Sequence, residues 1–286
     1  MDSLPRLPLG VWIEAIVDFL ALHLATATRV FSQVAGQGLD AVEGLLMALP
    51  PPMTIAALAL IAWWATRRKS LGIFALVGFT LIWSLDLWEA TCSTLTLVLA
   101  SASLAVVLGV PIGICIAMSS RLRVSVMPLL DAMQTLPAFV YLIPAIPFFG
   151  LGKISAMFAT IIFAMPPAIR FTCLGIRQVP LELIECAEAF GSTRMQRLVK
   201  LELPLAAPTI MAGINQTVML SLSMVVIAAM IGARGLGGEV WKAIQRLELG
   251  LGFEAGISIV ILAVYLDRLL QSIGKKSKTG ARKVGA

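Results

Sequence analysis

The chain has 286 residues, 59% of them hydrophobic and 13% charged, with a mean hydropathy of +0.93 and a formal net charge of +6. An ordinary soluble domain is about 45–50% apolar and 25% charged, so too little charged surface is left here to cover the apolar residues, and a water-soluble globule is excluded. Because the apolar residues come in long uncharged blocks, the positive balance bears on membrane orientation and not on nucleic acid, for which no role is expected.

Residues 1–43 form a first unit, in which Trp12, Ile13, Ile16, Val17, Phe19, Leu20 and Leu24 recur at helical spacing while Glu14 and Asp18 hold the other face. This pattern predicts an amphipathic helix lying on the extracytoplasmic surface, with an eighth, poorly apolar span as the competing reading, and the two acids argue against a cleavable leader. Uncharged runs follow at Gly44–Thr66 and Ser70–Leu85, the first two spans, within a unit of residues 44–93. A core of residues 94–270 holds the other five, read from the uncharged runs Ala90–Ser120, Ala132–Gly152, Ile154–Ile169, Leu203–Ala233 and Ala255–Leu266. Residues 271–286 are a basic cytoplasmic tail, expected to be disordered.

Seven spans with the N-terminus outside and the C-terminus inside place sixteen of the 22 Lys and Arg in the cytoplasm, including Arg67, Arg68, Lys69, Arg121 and Arg123. The opposite orientation would invert that bias. The fold class is therefore all-α, a polytopic membrane protein of about seven transmembrane helices. Pro111, Pro137, Pro144, Pro147, Pro166 and Pro167 lie within the spans or close them; each removes a backbone donor, which predicts kinked or unwound helices lining a pathway or packed on neighbours. Polar residues in the spans, Gln134, Thr135, Asn215, Gln216, Ser221 and Ser223, are candidates for a translocation path or for interhelical hydrogen bonds. Trp63, Trp64, Trp83 and Trp88 fall near span ends and read as interfacial anchors.

The charged stretch between the fifth and sixth spans, at about residues 172–208, is the most structured of the loops. Pro180 suits a first helical turn, Leu181, Ile184, Ala187 and Phe190 make a stripe, Gly191 suits a left-handed end, and Ser192 can cap a second short helix carrying Arg194, Arg197 and Lys200. A helix, a glycine corner and a second helix make a compact knob that fits either a groove on a cytoplasmic partner or a loop resting on the membrane face.

Glu185, Cys186, Ala187, Gly191, Leu201, Leu203 and Pro204 resemble the E-A-A, three residues, G, nine residues, I-x-L-P signature of ABC importer permeases, with Cys186 in place of alanine and Leu201 in place of isoleucine. Residues Leu95 to Leu270, including MQTLPAFVYLIPAIPFFGLG from Met133, are similar to the permeases for glycine betaine, proline betaine and choline. The resemblance implies a type I ABC importer permease fold in the bacterial cytoplasmic membrane. It also implies a second copy of this chain, two cytoplasmic ATPase subunits that carry ATP and Mg, and an extracytoplasmic solute-binding protein. Under it the loop at 172–208 couples ATP hydrolysis to transport, and Gly232, Gly235 and Gly237 form a flexible outer turn.

Other classes fit poorly. A secondary carrier or channel calls for ionisable residues deep in the bundle, whereas Asp86, Glu89 and Asp131 lie at span ends. His23 is the single histidine, the four cysteines have no ligand spacing, and no H-E-x-x-H or phosphate-binding G-x-x-x-x-G-K-[ST] occurs. Neither catalytic nor metal-ligating residues are therefore expected in this chain.

Overall fold

The computed structural model describes residues 9–284 and, of their side chains, those of residues 10–272 and Gly274. The described residues fold into helices and short connections. Two N-terminal helices, α1 (Leu9–His23) and α2 (Ala25–Ala48), meet at 70°. The Pro50-Pro51-Pro52 run then ends one helix and opens the next, α3 (Pro51–Thr66), since Pro is tolerated only where a first-turn donor is not needed. The hairpin partner α4 (Lys69–Ser84) follows, then the 31-residue α5 (Trp88–Met118).

Next come α6 (Ser120–Thr135), a 3₁₀ turn at Ala138–Tyr141, α7 (Leu142–Phe149) and α8 (Lys153–Arg177). The knob expected from the charged stretch is α9 (Leu181–Ala189) and α10 (Arg194–Arg197), joined by a π turn at Leu198–Glu202 to α11 (Leu203–Ser223). The chain ends with α12 (Val225–Ala229), α13 (Leu236–Arg246) and α14 (Leu249–Val284).

Among the described residues, α5, α8, the continuous Arg194–Ala229 unit and Leu249–Ser272 are long and apolar enough to cross a bilayer. Of the seven expected spans, α5, α8, α11–α12 and α14 supply four; the α6–α7 pair qualifies only as one bent span, and so does the α1–α2 pair, which the seven-span reading leaves outside the bilayer. At 16 residues each, α3 and α4 reach about 24 Å, short of the roughly 30 Å hydrocarbon thickness.

Four expectations need correction, and one proline expectation is met. The boundary at residue 43 falls inside α2, which runs to Ala48, so the first span starts at Pro51 and not at Gly44. The fourth span bears out the proline expectation: α6 and the segment from Ala138 turn by 110° at Leu136-Pro137, because a proline pushes the residue before it out of the helical region. By contrast, α5 and α8 run through Pro111, Pro166 and Pro167 without a break, and α8 continues two turns past Ile169. Trp88 is core rather than anchor, meeting Phe79 edge-on with centroids 6.3 Å apart. The backbone of the tail is helical to Val284, while the basic side chains from Lys275 onward lie outside the described residues.

The core divides into two main clusters around α5. One joins the α3–α4 hairpin to α14 and α11 through Phe79, Trp88, Val98, Leu222 and Tyr265. There the Tyr265 hydroxyl donates to the Leu58 carbonyl at 3.1 Å, which satisfies a polar group in apolar surroundings. The other cluster packs α5 and α8 with α2, α7 and α12 through Leu39, Leu97, Tyr141, Met157 and Met224.

In lipid, helices associate by close contact of small residues, because apolar burial gives no gain against acyl chains. Gly109 and Gly113, four apart on α5, supply that contact: a Cβ on Gly113 would lie 2.7 Å from the Ile169 carbonyl oxygen and from Thr172 Cβ. This seam fixes α8 at the centre of the bundle, from which the knob projects.

Candidate functional site

The knob's shape follows from its caps. At the end of α9, the Gly191 N–H donates to the Glu188 carbonyl at 2.8 Å and the Ser192 N–H to the Ala187 carbonyl at 3.0 Å. These are the paired bonds of a Schellman corner. Such a corner needs a left-handed residue, and Gly191 has φ +77°. The second helix is capped one residue later than expected, at Thr193 and not Ser192: the Gln196 N–H donates to Thr193 Oγ1 at 3.3 Å and the Thr193 N–H to Gln196 Oε1 at 2.9 Å. This reciprocal box satisfies two otherwise orphaned donors.

Past α10 the ladder widens. The Leu203 N–H reaches back five residues to Leu198, making a π turn that carries Leu201 and Glu202 into Leu203 and Pro204. Pro204 has no N–H to donate to the preceding turn, so one inserted residue lets the chain run through it into α11. The L-E-L-P sequence is thus the root of the knob, and the E-C-A sequence of α9 is its outer helix. All seven sequence-predicted coupling residues fall in this one element.

Arg197 binds the two parts together, and sequence reasoning gave it no such role. Its Nε donates to Glu202 at 2.7 Å and its Nη1 pairs with Glu188, linking α9 to the base of α11. Glu202 is only 6% exposed, so it is held by the guanidinium rather than by water. The available signal was an acidic residue at the last turn before the membrane, five residues after an arginine.

With the knob stiffened in this way, α9 presents an uncommitted surface. None of its residues is buried, Glu185 and Cys186 are exposed, and Phe190 at the corner is 86% exposed. Leu181 and Met195 are also exposed, beside Glu182 and Arg194. An aromatic tip with a mixed-charge rim on a rigid scaffold has the make-up of a binding hot spot.

The candidate path residues are divided by the structure. Gln134 and Thr135 are exposed at the end of α6, immediately before the break. Gln216 and Ser223 are exposed on α11, on one stripe with Leu205 and Ala212. The other two face neighbours: Asn215 Nδ2 donates to Asp267 of α14 at 2.8 Å, and Ser221, buried, donates to its own helix at Thr217. The Asn215 bond is the interhelical use that the sequence left open, and Ser221 bonds within its own helix.

The outer turn also requires a correction. Gly232 and Gly235 have φ +90° and +127°, yet Gly235 and Gly237 are buried. A Cβ on Gly235 would lie 2.5 Å from Thr94 Oγ1, and one on Gly237 would lie 2.8 Å from Val225 Cγ1. The Leu236 N–H donates to Thr94 Oγ1 at 2.8 Å. These glycines make a close-packed corner against α5 and α12, in place of the flexible turn the resemblance implied.

The family model described as "Binding-protein-dependent transport system inner membrane component" matches residues 109–278, which include the knob. The glycine betaine/carnitine transport permease protein GbuB of Listeria monocytogenes is 49% identical over 282 residues, 98% of this chain and 100% of that protein. The glycine betaine/proline betaine transport system permease protein ProW of Escherichia coli is 45% identical over 273 residues, 96% of this chain and 77% of that protein. Among solved structures, an inward-facing MetNI methionine ABC transporter superposes with a TM-score of 0.60 at 21% identity, covering 65% of this chain and 93% of that one. The chain therefore belongs to the binding-protein-dependent transport system inner membrane components, and is a multi-pass permease subunit of an ABC importer whose ATPase is a separate chain.

Proposed function

We infer that this permease carries glycine betaine or a closely related quaternary amine across the bacterial cytoplasmic membrane. It works as a homodimer with two ATPase subunits, which bind ATP and Mg, and an extracytoplasmic protein that delivers the solute. The solute class rests on relatives named for glycine betaine at 45–50% identity, against 29% for a permease named for choline.

The observation that carries the coupling role is the knob: a stiff, doubly capped element with no buried residue in its outer helix and an aromatic tip in solvent. Glu185, Cys186, Ala187 and Gly191 form its docking face, and Leu201, Leu203 and Pro204 its root. Docking there buries Phe190 in a groove of the ATPase. The second copy accounts for the stripe of Gln216 and Ser223, which a helix facing acyl chains would not carry; with Gln134 and Thr135 they line a path between the two copies.

The test is reconstitution of the permease with its ATPase and binding protein in proteoliposomes, with ATP-driven uptake of glycine betaine and choline measured side by side. Uptake of glycine betaine dependent on all three components supports the reading. Uptake of neither solute, with the assembled complex hydrolysing ATP, overturns the solute assignment.

A further inference from the structure

A cavity of about 350 Å³ opens at the end of the bundle opposite the knob. The helical unit Arg194–Ala229 has 36 residues, about 54 Å of rise, so the two sites are separated by the thickness of the membrane. The cavity is walled by Asp40 and Glu43 of α2, Ser93 and Thr96 of α5, Lys153 at the start of α8, and Arg234 from the glycine corner. Lys153 and Arg234 are among the cations that the charge bias assigns to the outside.

Three features separate this cavity from a plain cluster of surface ion pairs. It contains two acids and two bases, so its formal charges balance and it matches a zwitterion rather than an ion of one sign. Those charges are unequally engaged: Lys153 pairs with Asp40 and lies 3.6 Å from Glu43, and Ser93 donates to Glu43, whereas Arg234 has no acidic partner among the described residues. Finally, the Thr96 hydroxyl, on a side chain 2% exposed, has no hydrogen-bond partner among the described residues. A buried, unpaired hydroxyl is costly in an apolar bundle and marks a place left for a ligand's polar atom.

We propose that this cavity is a solute subsite for a small carboxylate-bearing zwitterion: Arg234 and the Thr96 hydroxyl take the carboxylate, and the Glu43 and Asp40 carboxylates face the quaternary ammonium. The assignment rests on the quaternary-amine reading above and narrows it to betaines, since choline has no carboxylate for Arg234. Aromatic side chains are missing from the lining, so the cation is held by charge alone and occupancy is brief. Brief occupancy suits a site that receives solute from a binding protein and passes it on.

The test uses the permease–ATPase complex in nanodiscs, without binding protein, and saturation-transfer NMR with glycine betaine and with choline. Glycine betaine is expected to give transfer in the unaltered complex, and choline about tenfold less. Arg234→Gln and Thr96→Val are each expected to weaken the glycine betaine signal about tenfold, the value of one hydrogen bond to a charged group, while Arg234→Lys retains most of it. Thr96→Val removes a hydroxyl that has no partner in this structure, so the fold does not suffer and the readout reports binding.

Equal transfer from both solutes, or a glycine betaine signal unchanged in both Arg234→Gln and Thr96→Val, overturns the proposal. Glycine betaine uptake by the complete unaltered system, measured in parallel, separates the two readings. Uptake with variant-independent transfer removes this subsite alone, and absence of uptake removes the solute class with it.

Discussion

Replacing Gly191 by valine tests whether the knob must hold its shape. At φ +77° an L-residue brings its Cβ against backbone, and a β-branched one is worse, for a cost of about 2 kcal/mol. Beyond its own chain neighbours no atom lies within 4 Å of a Cβ built there, so the whole cost is local backbone strain and none of it is a clash that repacking could relieve. The chain escapes by opening the corner, which gives up the Gly191-to-Glu188 and Ser192-to-Ala187 bonds and swings Phe190 off its position. Two kcal/mol is roughly a thirtyfold fall in the population of docking-competent knob. Because α9 contributes no buried residue to the bundle, insertion and thermal stability should be unchanged. In proteoliposomes with excess ATPase subunit, uptake should fall at least about tenfold for Gly191→Val. It should fall much less for Gly191→Asn, since asparagine tolerates the left-handed region. Full uptake by Gly191→Val, or equal losses for valine and asparagine, would refute the reasoning.

Three other substitutions probe separate parts of the chain. Arg197→Ala leaves Glu202 buried without its cation and should cost about 3–5 kcal/mol locally; Arg197→Ala with Glu202→Gln should recover part of the ATPase retention lost in a pull-down. Phe190→Asp should abolish retention of the ATPase subunit without moving the detergent melting temperature, because the ring touches water and not the bundle. Gly113→Leu pushes α5 off α8 at the Ile169 carbonyl and should lower stability by about 1–3 kcal/mol, read as an earlier thermal transition of the purified complex.

The spans were legible because a bilayer imposes a single long-range rule, an uncharged run, which composition reveals directly. Their ends were less so. Ala132–Gly152 is uncharged throughout, yet Pro137 divides it, while Pro166 and Pro167 sit in a helix that does not stop. The difference is tertiary: α8 is packed along its length by α5 and α11, which hold its backbone in register, whereas α6 meets α5 and α8 only through Leu130 and its neighbours, short of the break. The knob was legible at Gly191, because one backbone conformation admits one residue type. It was not legible at Arg197, because ion pairing across a corner depends on the angle of that corner. Trp88 was misplaced for a related reason. A tryptophan at the start of a span looks the same in sequence whether it meets headgroups or Phe79.

The glycine corner and the knob together explain how a permease with so few polar groups can be driven from outside the membrane. The Arg194–Ala229 unit carries Arg197 and the π turn at one end and leads into Gly232 and Arg234 at the other. Its root is fixed by the Arg197–Glu202 pair, and its far end is fixed by the Leu236 N–H on Thr94 and the close fit of Gly237 against Val225. A force on Phe190 is therefore not absorbed by a loose joint at either end. A flexible outer turn would have absorbed it. On the proposed coupling role, close packing at Gly235 and Gly237 would instead carry the displacement to Arg234 and Thr96, at the mouth of the cavity. If that is how the stroke is delivered, Gly237→Ala should leave ATPase docking intact while lowering uptake, because the added methyl loosens only the distal end of the lever.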